Sequence, residues 1–214
     1  MKHSQSSKSL RDKYEKATIP IGKALGRLKI SANMMTIISV IFAGISTYFL
    51  ALRDLWMGVL FFLIAGICDM LDGAIARATG TASPFGTLLD NTIDRVVEGF
   101  LILGLILGEF IPGWLGVITI LGMYLPSYVR ARGEAEIGER ALGYGLFERK
   151  EKLGTLLAGI FLTGFDIPMI EELKNIGITN YIFLACLIVS IFSIITAIQR
   201  LYFFYTKHKE KASF

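Results

Sequence analysis

Apolar stretches separated by short polar segments fill most of the chain after residue 30. A helix needs about 20 apolar residues to cross a bilayer, and six stretches reach or approach that length. They cover about residues 34–52, 55–77, 87–108, 112–132, 150–168 and 178–205. The pattern predicts an all-α integral membrane protein with six transmembrane helices in one domain over residues 34–206. Residues 1–33 form a polar N-terminal segment, and residues 207–214 form a basic tail.

The basic residues predict the orientation of these helices. Of the 22 lysines and arginines, 18 lie before the first stretch, at or beyond the end of the second or the fourth, at the start of the fifth, or after the sixth. Arg53 and Lys174 lie in the opposite loops, and Arg95 and Arg200 lie within helices. The positive-inside rule therefore places both termini on the cytoplasmic side of the cell membrane.

The N-terminal segment carries an apolar stripe among its basic residues, formed by Ile19, Ile21, Leu25, Leu28 and Ile30. This stripe predicts an amphipathic helix on the membrane surface, with Pro20 at a break or at its start. The net charge of +4 fits attraction to anionic lipid headgroups. We therefore expect the lipid bilayer as a partner and no nucleic acid.

Four aspartates lie in the apolar helices, where an ionised carboxylate is costly to place. Asp69 and Asp72 end the second helix, and Asp90 and Asp94 open the third. Each charge costs roughly 2.5–3.5 kcal/mol at a bilayer centre on insertion scales, so the four need compensation. Each pair shares one helix face, and a loop at Ala78–Gly86 brings the two pairs to the same level. The sequence therefore predicts a site for Mg²⁺, Mn²⁺ or Ca²⁺, with two ions balancing the charge.

Two other interpretations of the aspartates are open. They could form ion pairs with Arg77 and Arg95, although two arginines cannot balance four carboxylates. They could also mark the path of a cation or proton transporter. Transporter sites usually lie at the membrane midplane, whereas these acids lie near one face, so a metal-dependent enzyme is favoured.

The same region carries a recognisable motif. From Asp69 the chain runs D-M-L-D-G-A-I-A-R, then eight residues, then G-T-L-L-D-N-T-I-D. This run resembles the signature of the CDP-alcohol phosphotransferases, D-x2-D-G-x2-A-R-x8-G-x3-D-x3-D. All eight fixed positions are matched, by Asp69, Asp72, Gly73, Ala76, Arg77, Gly86, Asp90 and Asp94. ISANMMT (residues 30–36) also resembles the family's P-N-x-x-T element, with Ala32 in place of proline.

The resemblance implies a reaction and a role for each matched residue. An acceptor hydroxyl is expected to attack the β-phosphorus of a CDP-linked lipid and release CMP, with two Mg²⁺ or Mn²⁺ ions as cofactors. Asp69, Asp72 and Asp90 are expected to bind metal, and Asp94 to act as the base while also contacting metal. The CDP group is expected to contact Asp69, Asp72, Gly73, Ala76, Arg77, Gly86, Asn33 and Thr36.

Three basic residues resemble an acceptor site. SYVRARGE (residues 127–134) is similar to the S-Y-x-[KR]-A-R-x-E of family members that take a phosphorylated polyol, and ERKEK (148–152) is similar to their E-R-x-E-R. By that resemblance Arg130, Lys152 and Arg200 form a pocket for the acceptor's phosphate, with no matching acids. Lys152 is also interpretable as an ordinary lysine at the membrane edge.

The acceptor and the oligomeric state rest on the same resemblance. DNTIDRVVE (residues 90–98) resembles the phosphatidylinositol-phosphate and archaetidylinositol-phosphate synthases, which favours myo-inositol phosphate as the acceptor, with glycerol 3-phosphate as the alternative. Whether the donor lipid is diacyl or archaeol is not encoded. The family implies a homodimer, in which Gly104 and Gly108 could pack between subunits or merely within one.

Overall fold

The computed structural model describes residues 18–141 and 143–212, and every regular element among them is an α-helix. The all-α prediction is thus confirmed for these residues. The helices are α1 (18–27), α2 (Ala32–Ala51), α3 (Leu55–Thr79), α4 (Pro84–Leu107), α5 (Gly113–Ile137), α6 (Arg149–Gly164), α7 (Glu171–Asn175) and α8 (Tyr181–Ala212). The part of the predicted surface helix that falls within residues 1–17 lies outside the described residues.

Three of the described helices are long and apolar enough to cross a membrane, namely α2, α3 and residues Tyr181–Lys211 of α8. The chain is therefore a helical membrane protein. Helices α4, α5 and α6 occupy the other three predicted stretches, and their crossing of the bilayer stays a prediction.

The connection between α3 and α4 is shorter than the sequence pattern suggested. Helix α3 continues to Thr79 and α4 begins at Pro84, so residues 80–83 form the loop. Ser83 explains the early start of α4, because its Oγ accepts a hydrogen bond from the Gly86 amide at 3.0 Å. A serine N-cap followed by proline is a common helix start, and it was readable in the sequence.

The C-terminal residues also differ from the expected layout. Helix α8 runs on to Ala212, through the residues assigned to the basic tail. Lys211 Nζ donates to the Ile137 carbonyl at 2.7 Å, which attaches this extension to the end of α5. The short helix α7 was not predicted, because five residues give too little periodicity to detect.

The chain divides into two compact units, of which the first comprises residues 18–49 and Met57–Leu101. In this unit α2 packs along α3. Ser46 Oγ donates to the Gly58 carbonyl at 2.7 Å, and the rings of Phe49 and Phe61 stack 5.3 Å apart. Helix α1 lies against α3 so closely that a Cβ on Gly22 would come 2.4 Å from the Ala74 carbonyl oxygen.

The second unit comprises Leu50–Trp56 and the described residues from Ile102 onward, and α8 packs along both α5 and α6 in it. Thr119 and Ser190 share a hydrogen bond at 3.1 Å, and Gly133 faces Phe204 further along both helices, so α5 and α8 are parallel. Helix α6 is antiparallel to α8, because Thr163 near its end contacts Ile182 and Phe147 just before its start contacts Thr196.

Gly108 also belongs to the second unit. A Cβ at Gly108 would come 2.2 Å from the Leu50 carbonyl oxygen of the same chain. The close approach that Gly108 permits is therefore an intramolecular one, which was the second of the two interpretations of this residue.

Candidate active site

Three of the four signature aspartates form a cluster within the first unit. Asp69 and Asp72 come from α3 and Asp90 from α4, and each offers one carboxylate oxygen within 4.8 Å of the others. We call this set the acidic cluster. Three carboxylates at this spacing are hard oxygen ligands suited to a divalent cation such as Mg²⁺ or Mn²⁺. Asp94 is not in this group, although it is buried one turn further along α4.

Thr36 connects α2 to the acidic cluster. Its Oγ1 donates a hydrogen bond to Asp72 Oδ2 at 2.6 Å, and both side chains are buried. The sequence interpretation assigned Thr36 to the CDP group, whereas the structure gives its hydroxyl a direct contact with a carboxylate of the cluster. Such a contact fixes the orientation of a metal-binding carboxylate.

A cavity of about 210 Å³ opens beside the acidic cluster. Its walls contain most of the residues predicted to hold the CDP group, namely Asn33, Thr36, Asp72, Gly73, Ala76, Arg77 and Gly86, together with Asp90. The cavity is also lined by three residues that were not predicted from the sequence, Thr81, Ser83 and Thr87. These three hydroxyl residues fall in the variable positions of the signature, so the motif alone gave no reason to select them.

Two signature glycines leave room for polar groups at the cavity wall. A Cβ on Gly73 would come 3.1 Å from Arg77 Nη1, so the guanidinium lies directly against the α3 backbone. A Cβ on Gly86 would come 3.2 Å from Ser83 Oγ, the atom that caps α4. Glycine at these positions therefore lets a cation and a helix cap approach the backbone closely.

Arg95 has a partner other than the acidic cluster. Arg95 Nη1 lies 2.6 Å from Glu98 Oε2, three residues further along α4, and Glu98 is only 1% exposed. Glu98 is a buried acid whose sequence signal was its position one turn after Asp94.

The three basic residues predicted for the acceptor lie along the middle of α5, between Gly122 and Arg130, in the second unit. Arg200 of α8 is 6% exposed; its Nη1 donates to the Pro126 carbonyl at 2.8 Å, and its Nε to the Tyr144 carbonyl at 2.9 Å. Arg130 lies close enough to Arg200 to interact with it electrostatically. We call Arg130, Lys152 and Arg200 the basic cluster.

Lys152 is buried in the protein, with 4% of its surface exposed. Its Nζ donates to the carbonyls of Gly122 and Met123, at 3.5 and 3.3 Å. The Gly122 carbonyl is available because Pro126, four residues later, has no amide hydrogen to donate to it.

Arg130 has an acidic partner, so the expectation of three cations without matching acids is wrong for this residue. Arg130 Nε donates to Glu134 Oε1 at 2.9 Å, one helical turn later. Burial alone would raise the pKa of Glu134, but hydrogen bonds from Arg130 and from the Ala141 amide outweigh it and hold that pKa below its ordinary value. The spacing of four residues made the pair readable in the sequence.

The chain was compared with known protein families and structures. The model of the CDP-alcohol phosphatidyltransferase family matches residues 29–192. An archaetidylinositol phosphate synthase of Pyrococcus horikoshii is 32% identical over 194 residues, covering 90% of this chain and 93% of that protein. A phosphatidylinositol phosphate synthase of Mycobacteroides abscessus is 40% identical over 167 residues, covering 73% and 74%.

Solved structures agree with these sequence relatives. The crystal structure of Mycobacterium tuberculosis phosphatidylinositol phosphate synthase with CDP-DAG bound matches with a TM-score of 0.76 at 27% identity, over 89% of this chain and 94% of that one. The manganese and citrate complex of the same enzyme matches with a TM-score of 0.75, over 88% and 89%. Signature, fold and relatives agree, and this chain belongs to the CDP-alcohol phosphatidyltransferase family.

Proposed function

We propose that this protein transfers a phosphatidyl-type group from a CDP-linked lipid to a hydroxyl of myo-inositol phosphate and releases CMP. The observation that carries the proposal is the meeting of Asp69, Asp72 and Asp90 beside a cavity lined by the rest of the signature. The names of the relatives, archaetidylinositol and phosphatidylinositol phosphate synthases, support inositol phosphate as the acceptor.

The donor's CDP group is assigned to the 210 Å³ cavity. Arg77 lies on its wall with its guanidinium against Gly73, where a fixed cation suits a diphosphate. Asn33 and the hydroxyls of Ser83 and Thr87 offer hydrogen bonds at the same wall. The lipid tails, whether diacyl or archaeol, would lie outside this polar cavity.

The acidic cluster is assigned to a divalent cofactor, which we propose to be two ions of Mg²⁺ or Mn²⁺. Its donor set fits because three carboxylates within 4.8 Å carry excess negative charge and only oxygen ligands. Bound cations would neutralise charge on the donor's phosphates during transfer. Thr36 would hold the Asp72 carboxylate in position for them.

Asp94 is assigned as the general base. The acceptor oxygen forms a bond to the β-phosphorus, the bond from that phosphorus to the oxygen of the leaving CMP breaks, and the proton of the hydroxyl passes to the Asp94 carboxylate. A carboxylate is a weak base, so it acts on a hydroxyl that becomes acidic as the new bond forms. Whether Asp94 also binds metal, as the family resemblance implies, is part of the same proposal.

The acceptor's phosphate is assigned to the basic cluster. Arg130 and Arg200 lie close together, and both hold Nε on protein oxygens. Arg200 also holds Nη1 on the Pro126 carbonyl, so both terminal nitrogens of Arg130 and Nη2 of Arg200 are offered to an anion. Glycerol 3-phosphate carries the same phosphate and is the alternative acceptor. The assignment predicts no use of an unphosphorylated alcohol such as serine or free inositol.

An acceptor panel tests this function. Purified protein with Mg²⁺ receives CDP-diacylglycerol or CDP-archaeol and one of four acceptors: myo-inositol phosphate, glycerol 3-phosphate, free inositol or serine. We expect CMP release with inositol phosphate and little with the other three. Glu172→Gln, which changes an exposed acid on α7, serves as the control variant and should retain wild-type rates. Equal rates with free inositol would overturn the phosphate assignment, and ion flux without CMP release would support the transporter alternative.

We also propose the arrangement in the membrane and the assembly. All six predicted stretches cross the bilayer with both termini in the cytoplasm, so the active site faces the cytoplasm of a multi-pass protein in the cell membrane. Labelling of single cysteines placed at positions 53 and 174, by a reagent that cannot cross membranes, should succeed in intact cells. The chain forms a homodimer, and a monodisperse monomer by mass measurement in mild detergent would contradict this.

A further inference from the structure

One carboxylate oxygen connects the basic cluster to the loop that follows α5. Glu134 Oε1 accepts a hydrogen bond from Arg130 Nε at 2.9 Å and a second from the Ala141 amide at 3.2 Å. A few residues later, the Tyr144 carbonyl accepts a hydrogen bond from Arg200 Nε at 2.9 Å. Glu134 therefore contacts Arg130 directly and also holds the Ala141 amide, while Arg200 is held by the Tyr144 carbonyl three residues further along the chain.

The way Arg130 is held leaves its outer end available. A guanidinium has five N–H donors, and Glu134 takes the one on Nε. Among residues 18–141 and 143–212, no other hydrogen bond from Arg130 is present, and its side chain is 36% exposed. The two terminal nitrogens lie in the same rigid plane and match the oxygens of a phosphate. An anchor on Nε thus fixes the direction in which they point.

The loop end of this connection is equally constrained. The Leu146 and Phe147 amides donate to Gln199 and Thr196 of α8, at 3.0 and 3.1 Å. Gly145 has φ +138°, and a Cβ there would come 2.6 Å from Thr196 Cγ2 and 3.4 Å from Arg200 Nε. The backbone beside Tyr144, which supports Arg200, is therefore held against α8.

We propose that Glu134 is a positioning residue for acceptor recognition: it aims the Arg130 guanidinium, and its hydrogen bond from the Ala141 amide holds the Glu134 carboxylate in place for this. The inference deepens the proposed function and rests on it, since it assumes that the basic cluster binds the acceptor's phosphate. Glu134 itself does not touch the acceptor.

Two simpler roles for Glu134 give different results. If Glu134 competed with the phosphate for Arg130, its removal would lower the acceptor's KM. If the pair were an ordinary surface ion pair on a helix, its removal would leave the KM unchanged, because exposed pairs contribute little. The positioning role alone predicts that removal raises the acceptor's KM.

The same helix contains a matched control. Arg132 Nη2 lies 2.6 Å from Glu136 Oε1, with the same residue types, the same spacing of four residues and the same helix. That pair is exposed, at 60% and 64%, and Glu136 has no contact with the 138–148 loop among the described residues. Glu136→Ala therefore removes an equivalent ion pair without touching the proposed connection.

The experiment measures CMP release against the concentration of each substrate for Glu134→Ala, Glu134→Gln and Glu136→Ala. We expect Glu134→Ala to raise the KM for inositol phosphate about 10-fold, the order expected for losing one hydrogen bond to a charged group, with the KM for the CDP-lipid unchanged. Glu134→Gln should recover most of the affinity, because its amide oxygen accepts both hydrogen bonds. Glu136→Ala should match the wild type.

Several results would overturn the inference. The inference is refuted if Glu134→Ala leaves the acceptor's KM unchanged or lowers it. It is also refuted if the acceptor's KM and the KM for the CDP-lipid rise together. If Glu134→Ala cannot be recovered as folded protein, Glu134→Asp replaces it. Its side chain is shorter by one methylene, so it should still raise the acceptor's KM. A wild-type KM in Glu134→Asp would also refute the positioning role. If the wild type itself uses no phosphorylated acceptor, the proposed function fails. If the wild type uses one and the Glu134 variants have the wild-type acceptor KM, only this inference fails.

Discussion

The acidic and basic clusters are built on opposite principles. In the acidic cluster, three carboxylates converge within 4.8 Å, and two unit charges at that distance repel by about 3 kcal/mol at an effective dielectric near 20. In the basic cluster, the protein supplies an oxygen to each cation: Glu134 to Arg130, the carbonyls of Gly122 and Met123 to Lys152, and those of Pro126 and Tyr144 to Arg200.

This difference indicates which of the two clusters needs its ligand to keep its geometry. The acidic cluster concentrates like charges, so bound cations should be part of what holds its geometry. The basic cluster is held by protein oxygens, so its arrangement should persist without the acceptor. Four measurements test this contrast.

Removal of metal should have the largest effect. Exhaustive chelation with EDTA should abolish CMP release, and Mg²⁺ or Mn²⁺ should restore it, because three converging carboxylates are hard oxygen ligands for a divalent cation. Metal should also raise the thermal unfolding temperature, since a ligand that binds the folded state stabilises it. In Asp69→Asn that metal-dependent rise should shrink. Full activity after chelation would rule out the metal site.

Asp94→Asn should come next, with turnover reduced by at least about 100-fold, the usual lower size of a general-base contribution. Asp94 is buried on α4 and lies outside the three-carboxylate group, so the unfolding temperature should still rise on adding metal. Single-turnover CMP release under saturating substrates measures the loss. Near-wild-type turnover in the folded variant would remove Asp94 from the role of base.

Loss of a cation from the basic cluster should lower kcat/KM for the acceptor by roughly 10- to 150-fold, since charge-assisted hydrogen bonds contribute about 1.5–3 kcal/mol each. Arg130→Ala is the cleanest variant, because Arg130 is half-buried and serves no backbone carbonyl among the described residues. Arg132→Ala, two residues away and exposed, is its control. A rise in the KM for the CDP-lipid of the same size would contradict separate binding of donor and acceptor.

Thr36→Val should have the smallest effect. It removes the hydroxyl that donates to Asp72 at 2.6 Å while nearly conserving volume, and loss of such an orienting contact typically weakens metal binding 10- to 100-fold. The metal concentration for half-maximal activity, and for half of the thermal shift, should rise by that order. Thr47→Val on the same helix is the control, because it loses a hydrogen bond to the Phe100 carbonyl instead. It should leave both metal concentrations unchanged. If the two variants behave alike, Thr36 has no special role toward the metal.

The local features of this molecule were largely readable in its sequence. Asp69 and Asp72, three residues apart before a short turn to Asp90, had to meet once the two helices were antiparallel. Ser83 followed by Pro84 marked the true start of α4, and Arg130 with Glu134 marked an ion pair; both were missed although each is a contact within one helical turn. Local rules of helix spacing and capping suffice for such features.

Contacts between residues that are distant in the sequence were decided only by the tertiary structure. Thr36 reaches Asp72 across 36 positions, and Arg200 reaches the carbonyls of Tyr144 and Pro126 across 56 and 74. No periodicity encodes these partners, because the choice of carbonyl or carboxylate depends on which helix faces pack together and at what height. The sequence by itself thus determined the long helices, the family and the meeting of three aspartates. Only packing decided that Thr36 supports a carboxylate and that backbone oxygens hold the cations.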